Sequence, residues 1–172
     1  QENVKMDFSI PQAISQDLDR FRDFIRTHLT PNLSSWAQKQ KIPAAFFHLM
    51  GKNGWYGLKF EDGRLIRDSA QREAAISEEL AQVSPGVAIA ALAHVDLGLM
   101  GLFLFGSPGL QQTYGAAAAQ GKTMMCLGNT ENRAGSDVAG ISTTADKVDG
   151  GWILNGTKAY VTNGLIADWG VI

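Results

Sequence analysis

The sequence predicts an α+β chain: an N-terminal all-α helical bundle followed by the beginning of a β-domain. Three observations carry this. Apolar residues recur at helical spacing through the first two-thirds of the chain. Ser-Pro pairs at 84–85 and 107–108 mark helix starts within that stretch. After Gly121 the helical period is lost, and short apolar runs alternate with Asp-Gly and Asn-Gly turns. The switch falls near Lys122, so the expected domains are residues 1–122 and an incomplete 123–172.

Taken in order, Ile14, Leu18, Phe21, Ile25 and Leu29 form one stripe of an amphipathic helix, with charged residues filling the other face. Pro31 breaks it. A second helix is expected over 33–40 and a third over 43–51, burying Phe46, Phe47 and Met50. Residues 51–67, rich in Gly and charge, read as a loop. Asp68, with Gln71 three residues on, resembles a capping box for a helix carrying Ile76, Leu80 and Val83.

The next helix, 87–105, is apolar nearly all round and is expected at the centre of the bundle. It is long enough for a membrane span, but His94 and Asp96 in its middle argue for a buried helix and against a membrane. A last helix follows Pro108 and stops at Gly121. Strands are expected at 123–127, 143–148, 152–154 and 159–161. A further strand begins at 169–172, and its apolar end implies a protein that continues past Ile172.

Composition narrows the function classes. Among 172 residues, 45% are hydrophobic and 19% charged, with a net charge of −2, as in an ordinary globular protein. No basic stripe stands out, which argues against a nucleic-acid partner. The single cysteine, Cys126, cannot form an internal disulfide or a cysteine-rich zinc site. It reads as packed, and the Met124-Met125 pair beside it as core strand. His28 and His48 have no ligand spacing, so no metal is expected.

Two segments carry candidate chemistry. Residues 126–140, CLGNTENRAGSDVAG, follow a strand and are dense in Gly, Ser, Thr and Asn. Small residues let backbone N–H groups approach an anion, and Ser136 adds a hydroxyl donor. A plain surface loop accounts for the same composition and is the simpler reading of it. Residues 155–164, NGTKAYVTNG, place Tyr160 and Thr162 on one face if the segment is a strand. That face would suit a flat polar heterocycle. A solvent-facing cross-strand pair is the plainer alternative.

Together, T-E-x-x-x-G-S-D-x-x-G from Thr130 and N-G-x-K-x-[aromatic]-x-T-N-G from Asn155 resemble the acyl-CoA dehydrogenase family. The helical part, including FGSPGLQQTYGAAAAQGK at 105–122, is similar more weakly. The resemblance implies that the β-part begins an antiparallel β-barrel domain that holds FAD, with the C-terminal helical domain absent. It implies that Leu127, Asn129 and Thr130 hold the pyrimidine end of the flavin. Ser136 would meet the pyrophosphate and the pantetheine arm of the acyl-CoA substrate. Tyr160 would lie against the ring, Val161 beside it, and the Thr162 hydroxyl near flavin N5.

The resemblance further implies fatty acid metabolism, α,β-dehydrogenation of an acyl-CoA thioester, and electron passage to an electron-transfer flavoprotein. It implies a homotetramer or homodimer in the bacterial cytoplasm or mitochondrial matrix. The general base would lie in the C-terminal domain, so no catalytic residue is expected here, and these residues alone would be inactive. Glu131 and Asp137 are expected to be structural, and His94 and Asp96 to be polar core contacts or cavity lining. Asn129, Asn132 and Arg133 depart from the family's usual aliphatic residue, Pro and Gly. Arg133 would either add charge near the phosphates or face solvent. A flavin-dependent monooxygenase or oxidase on the same fold, or a non-catalytic helical scaffold, are the alternatives.

Overall fold

The computed structural model describes residues 9–172. Helix α1 (Gln12–Phe24) continues into a π-helical turn (Ile25–Leu29) and a 3-10 turn (Thr30–Asn32) that contains Pro31. All five residues of the predicted stripe, from Ile14 to Leu29, are buried. Helices α2 (Leu33–Gln38) and α3 (Ala44–Lys52) follow, α2 stopping two residues short of the expected end. Phe21, Phe24, Phe46 and Trp55 pack ring against ring, with Phe21 and Trp55 centroids 4.9 Å apart. Aromatic side chains bury large areas and account for much of such a core.

Residues expected as a loop contain instead a hairpin of β1 (Leu58–Glu61) and β2 (Arg64–Arg67), paired antiparallel. The first part of the chain is therefore not all-α. Asp62 and Gly63 turn the hairpin at left-handed φ values of 49° and 78°. Such a two-residue turn matches the twist of its flanking strands.

Helix α4 (Ala70–Val83) starts one residue later than the capping box implies. Ser69, not Asp68, is the N-cap, and its hydroxyl accepts from Arg72 N–H. Asp68 accepts from Ser69 N–H and pairs with Arg72 and Lys59. Desolvation is the largest single effect on its carboxyl and raises it, but Lys59, the Ser69 N–H and Arg72 together outweigh that and hold it below the ordinary range.

Pro85–Phe105 forms one long helix, from α5 (Pro85–Leu92) through a π-helical segment (Ala93–Leu99) to α6 (Met100–Phe105). The hydroxyl of Ser84 caps it as expected. It is long and apolar enough to cross a membrane by length and composition alone. Val87, Ala91, His94, Val95, Leu99 and Leu102 are buried, but Ile89, Leu97, Leu104 and Phe105 are exposed. The helix is packed on one side, not central as expected, because neighbours cover only one of its apolar faces. Helix α7 (Pro108–Leu110), capped by Ser107, leads through a π-helical turn (Gln111–Gly115) into α8 (Ala116–Ala119).

The strands after Gly121 form two separate pairs. β3 (Met125–Leu127) pairs with β6 (Trp169–Val171), and β4 (Thr144–Val148) pairs with β5 (Gly151–Asn155). The β4–β5 hairpin is antiparallel, whereas β3–β6 is parallel. No closed barrel is present among the described residues, and the antiparallel expectation is corrected for the β3–β6 pair. A parallel pair needs a long connection, and here it comprises the whole excursion 128–168.

Candidate functional site

The site is built around the C-terminal end of β3. Strand β3 lies directly on the π-helical segment of the long helix, an approach that Gly98 permits. A Cβ on Gly98 would stand 2.7 Å from Met125 Cβ. His94, fully buried, fixes the register there: Met125 N–H donates to its Nδ1 at 2.9 Å. With Nδ1 accepting, Nε2 carries the proton and donates to Ala118 O at 3.2 Å. Tyr56 meets the imidazole edge-on at 4.8 Å. Burial pushes the imidazole down to about 4, so it is neutral near pH 7. His94 is thus a polar core contact, as one of the two readings expected.

Leu127, at the end of β3, and Thr130 past it are half-buried, and Asn129 is exposed. Asn129 O accepts from Lys158 Nζ at 3.2 Å, and Thr130 O accepts from Ala159 N–H at 2.8 Å. These bonds bring the two motif segments together. Glu131 and Ala134 then form a bridge, leaving Asn132 and Arg133 exposed at the tip of a turn. Arg133 stands at that solvent-facing tip.

Glu131 is buried, and its carboxylate gathers donors from three places. Oε2 accepts from Ser142 N–H at 2.8 Å and from its hydroxyl at 2.6 Å. Oε1 accepts from Thr143 N–H at 2.9 Å, from the Thr143 hydroxyl, and from Lys158 Nζ at 2.9 Å. The Ser142 hydroxyl, then the Thr143 hydroxyl and Lys158, hold this carboxyl well below the usual carboxylate range. It stays ionised at neutral pH and cannot act as an acid or base there.

The expected strand at 159–161 is absent, and residues 156–168 form irregular backbone with turns at 162–166. Tyr160 adopts a left-handed φ of 55° and is 93% exposed. The alternation argument for Tyr160 and Thr162 therefore fails. What overrides it is anchoring at both ends. Lys158 and Ala159 are tied to the Asn129–Glu131 backbone and carboxylate, and Asn163 Nδ2 donates to Ala90 O of the long helix at 2.7 Å. Val161 is half-buried beside Ile42 and Phe47, and Thr162 is exposed.

Some hydroxyls in this region are bonded and others, including those of Thr144 and Thr157, are not. Those of Ser142 and Thr143 are committed to Glu131. Those of Thr130, Ser136 and Thr162 have no hydrogen-bond partner among the described residues. Ser136 is exposed ahead of a 3-10 turn (Val138–Gly140), and no hydrogen bond joins it to residues 158–162 among the described residues. Free hydroxyls and an exposed Tyr160 ring suit an acceptor-rich ligand with a flat aromatic part. No cluster of His, Cys, Asp or Glu suited to a metal occurs among the described residues.

Two roles were not anticipated from sequence: Lys158 as the ion-pair partner of Glu131, and Asn163 as the tie to the long helix. A lysine fixed between two Asn-Gly turns was the available signal for the first. No local signal existed for the second.

Comparison with known proteins gives the family of the chain. Residues 15–122 match the model of the acyl-CoA dehydrogenase N-terminal domain, and residues 126–172 match that of the middle domain. Benzylmalonyl-CoA dehydrogenase of Aromatoleum aromaticum is 27% identical over 95% of this chain and 44% of its own length. A glutaryl-CoA dehydrogenase from Mycobacterium smegmatis, solved in complex with FADH2, superposes with a TM-score of 0.87 at 26% identity. That match covers 95% of this chain and 42% of the other. PigA, solved with FAD and proline, superposes with a TM-score of 0.86 at 26% identity over 95% and 44% of the two chains. The chain thus spans less than half the length of the proteins it matches.

Proposed function

The chain belongs to the acyl-CoA dehydrogenase family, and we propose that the complete protein is an FAD-dependent enzyme that dehydrogenates an acyl-CoA thioester between its α and β carbons. FAD, when bound, supplies the acceptor for the hydride leaving the β-carbon. The chain's own residues hold and orient. Leu127, Asn129 and Thr130 receive the pyrimidine end, the first two through backbone and Thr130 through its free hydroxyl. Ser136 serves the phosphates or the pantetheine arm. Tyr160 and Val161 face the ring, and Thr162 offers a hydroxyl at N5, where a donor favours the electron-rich reduced state. No residue of this chain is proposed as the general base that takes the α-proton.

The observation that carries this reading is the joining of the two matched motif segments: Lys158 and Ala159 bond to Asn129 O, Glu131 and Thr130 O, while the hydroxyls of Thr130, Ser136 and Thr162 stay free for a ligand. Residues 1–122 would then form the helical domain and 123–172 the start of the flavin domain. An electron-transfer flavoprotein is the proposed electron acceptor and a homotetramer or homodimer the proposed assembly. Bacterial cytoplasm or mitochondrial matrix is the proposed location, since the similar enzymes include bacterial and mitochondrial ones.

The test is made on the complete protein with Thr162→Val and Ser136→Ala. Thr162→Val is expected to retain FAD through dialysis and to be reduced at least about tenfold more slowly, since it removes one donor. Ser136→Ala is expected to weaken FAD or substrate affinity. Unchanged reduction and unchanged affinities would reject the assigned roles. A monooxygenase or oxidase on the same fold is the second reading, favoured by the comparable likeness to PigA, solved with FAD and proline. It predicts bound flavin that no acyl-CoA bleaches.

A further inference from the structure

We propose that Glu131 and Lys158 are positioning residues whose ion pair sets the spacing between the two loops that carry Thr130 and Thr162, and thereby fixes how a bound flavin ring is held. This rests on the flavin reading above and assigns new roles within it.

The argument starts from capacity. A carboxylate offers about four lone-pair directions. Glu131 fills them with the backbone and hydroxyl donors of Ser142 and Thr143 and with Lys158 Nζ. Nothing remains for a ligand. Both partners are largely removed from water, with side chains 7% and 12% exposed for Glu131 and Lys158. Burying two charges at a loop junction is costly unless they are well bonded; here the carboxylate is filled and the ammonium donates twice, to Asn129 O and to Glu131. Lys158 also donates to Asn129 O, so one ammonium group spans the backbone before Thr130 and the carboxylate after it. Ala159 N–H donates to Thr130 O between them.

Geometry extends this to the second loop. Tyr160, Val161 and Thr162 lie between two fixed points, the Lys158–Ala159 attachment and the Asn163 tie to Ala90 O. Tyr160 holds a left-handed φ of 55° within that short span. A non-glycine residue keeps such a conformation only where its surroundings over-determine it. Loosening Lys158 therefore releases the near end of the span and lets Tyr160 to Thr162 move relative to Thr130. The fold's core lies elsewhere and keeps its packing.

The test uses the complete protein with Lys158→Met, Lys158→Arg and Glu131→Gln. Readouts are FAD dissociation constant, the visible spectrum of bound flavin, rate of flavin reduction, and amide hydrogen exchange at 159–163 without flavin. Lys158→Met is expected to keep its fold by circular dichroism and to exchange faster at 159–163. It should also shift the flavin band and slow reduction on the order of tenfold to a hundredfold, the scale of a misplacement near 1 Å. Lys158→Arg is expected to restore most of each. If Glu131→Gln fails to fold, the lysine variants still decide.

A Lys158→Met protein with wild-type flavin spectrum, affinity and reduction rate, and only a lower melting temperature, overturns this proposal alone. A wild-type protein that binds no FAD overturns the flavin reading, and this proposal with it.

Discussion

Met125 donates its backbone N–H to Nδ1 of His94, and through that bond the first strand after the helices is fixed to the π-helical segment of the longest helix. The imidazole is neutral, fully buried, and bonded at both nitrogens. His94→Ala would strand Met125 N–H and Ala118 O and open a cavity. A loss of about 3 kcal/mol or more is expected in urea unfolding.

The same residue predicts a pH dependence. Burial lowers the folded His94 value from 6.5 to about 4. The unfolded chain therefore takes up a proton at higher pH than the folded one. Stability from this group is complete above pH 6.5 and falls as pH drops from 6.5 toward 4, at up to about 1.4 kcal/mol per pH unit. Urea midpoints across that window should show the slope in wild type and a shallower one in His94→Gln. Equal slopes in both would contradict it.

Asp96 predicts the opposite sign. Its Oδ1 and Glu73 Oε1 are both buried without hydrogen-bond partners. Burial first, then the neighbouring Glu73, pushes Asp96 from 3.8 up to about 7. A carboxyl raised in the folded state costs stability progressively as pH rises from 3.8 through 7. Asp96→Asn removes that cost. A gain of about 1 kcal/mol is expected at pH 8, after allowing for solvent screening of a half-buried group, and almost none at pH 4. No gain at pH 8 would show that the pair is relieved some other way.

Gly98→Ala tests the approach of β3 to the helix. The added Cβ would lie 2.7 Å from Met125 Cβ and 2.8 Å from Met125 C, backbone that cannot swing aside. Overpacking of this kind is expected to cost about 1–3 kcal/mol, read from denaturant midpoints.

Asn163 combines a φ of 66° with its bond to Ala90 O. Asn163→Gly loses the bond but keeps the backbone conformation, whereas Asn163→Ala loses both. The alanine variant is expected to be less stable than the glycine variant by about 1 kcal/mol, and both less stable than wild type. Equal stability of the two variants would mean that the left-handed backbone costs nothing here.

Local signals in the sequence translated well. The stripe from Ile14 to Leu29 and the caps at Ser84 and Ser107 depend only on near neighbours, and each forms as the spacing implies. The β1–β2 hairpin carried a readable Asp62-Gly63 turn. Its strands, however, hold Lys59, Glu61, Arg64 and Arg67, and so much charge disguised the alternation. Alternation at 159–161 misled for the converse reason. Tyr160 and Thr162 sit between long-range anchors that override local strand preference.

The motif residues were legible through family resemblance. The clamp beneath them was not, because Ser142, Thr143 and Lys158 lie 11, 12 and 27 positions from Glu131. The bonds of His94 at 24 and 31 positions were equally out of reach of any pattern in the sequence.

Anaerobic titration of the complete, purified protein with acyl-CoA thioesters of varied chain length tests the central claim most directly. The account predicts FAD as purified, loss of its visible absorbance with at least one thioester, and formation of the matching α,β-unsaturated thioester in equal amount. A protein that holds FAD yet keeps its full absorbance with every thioester, or that holds no FAD at all, would contradict it.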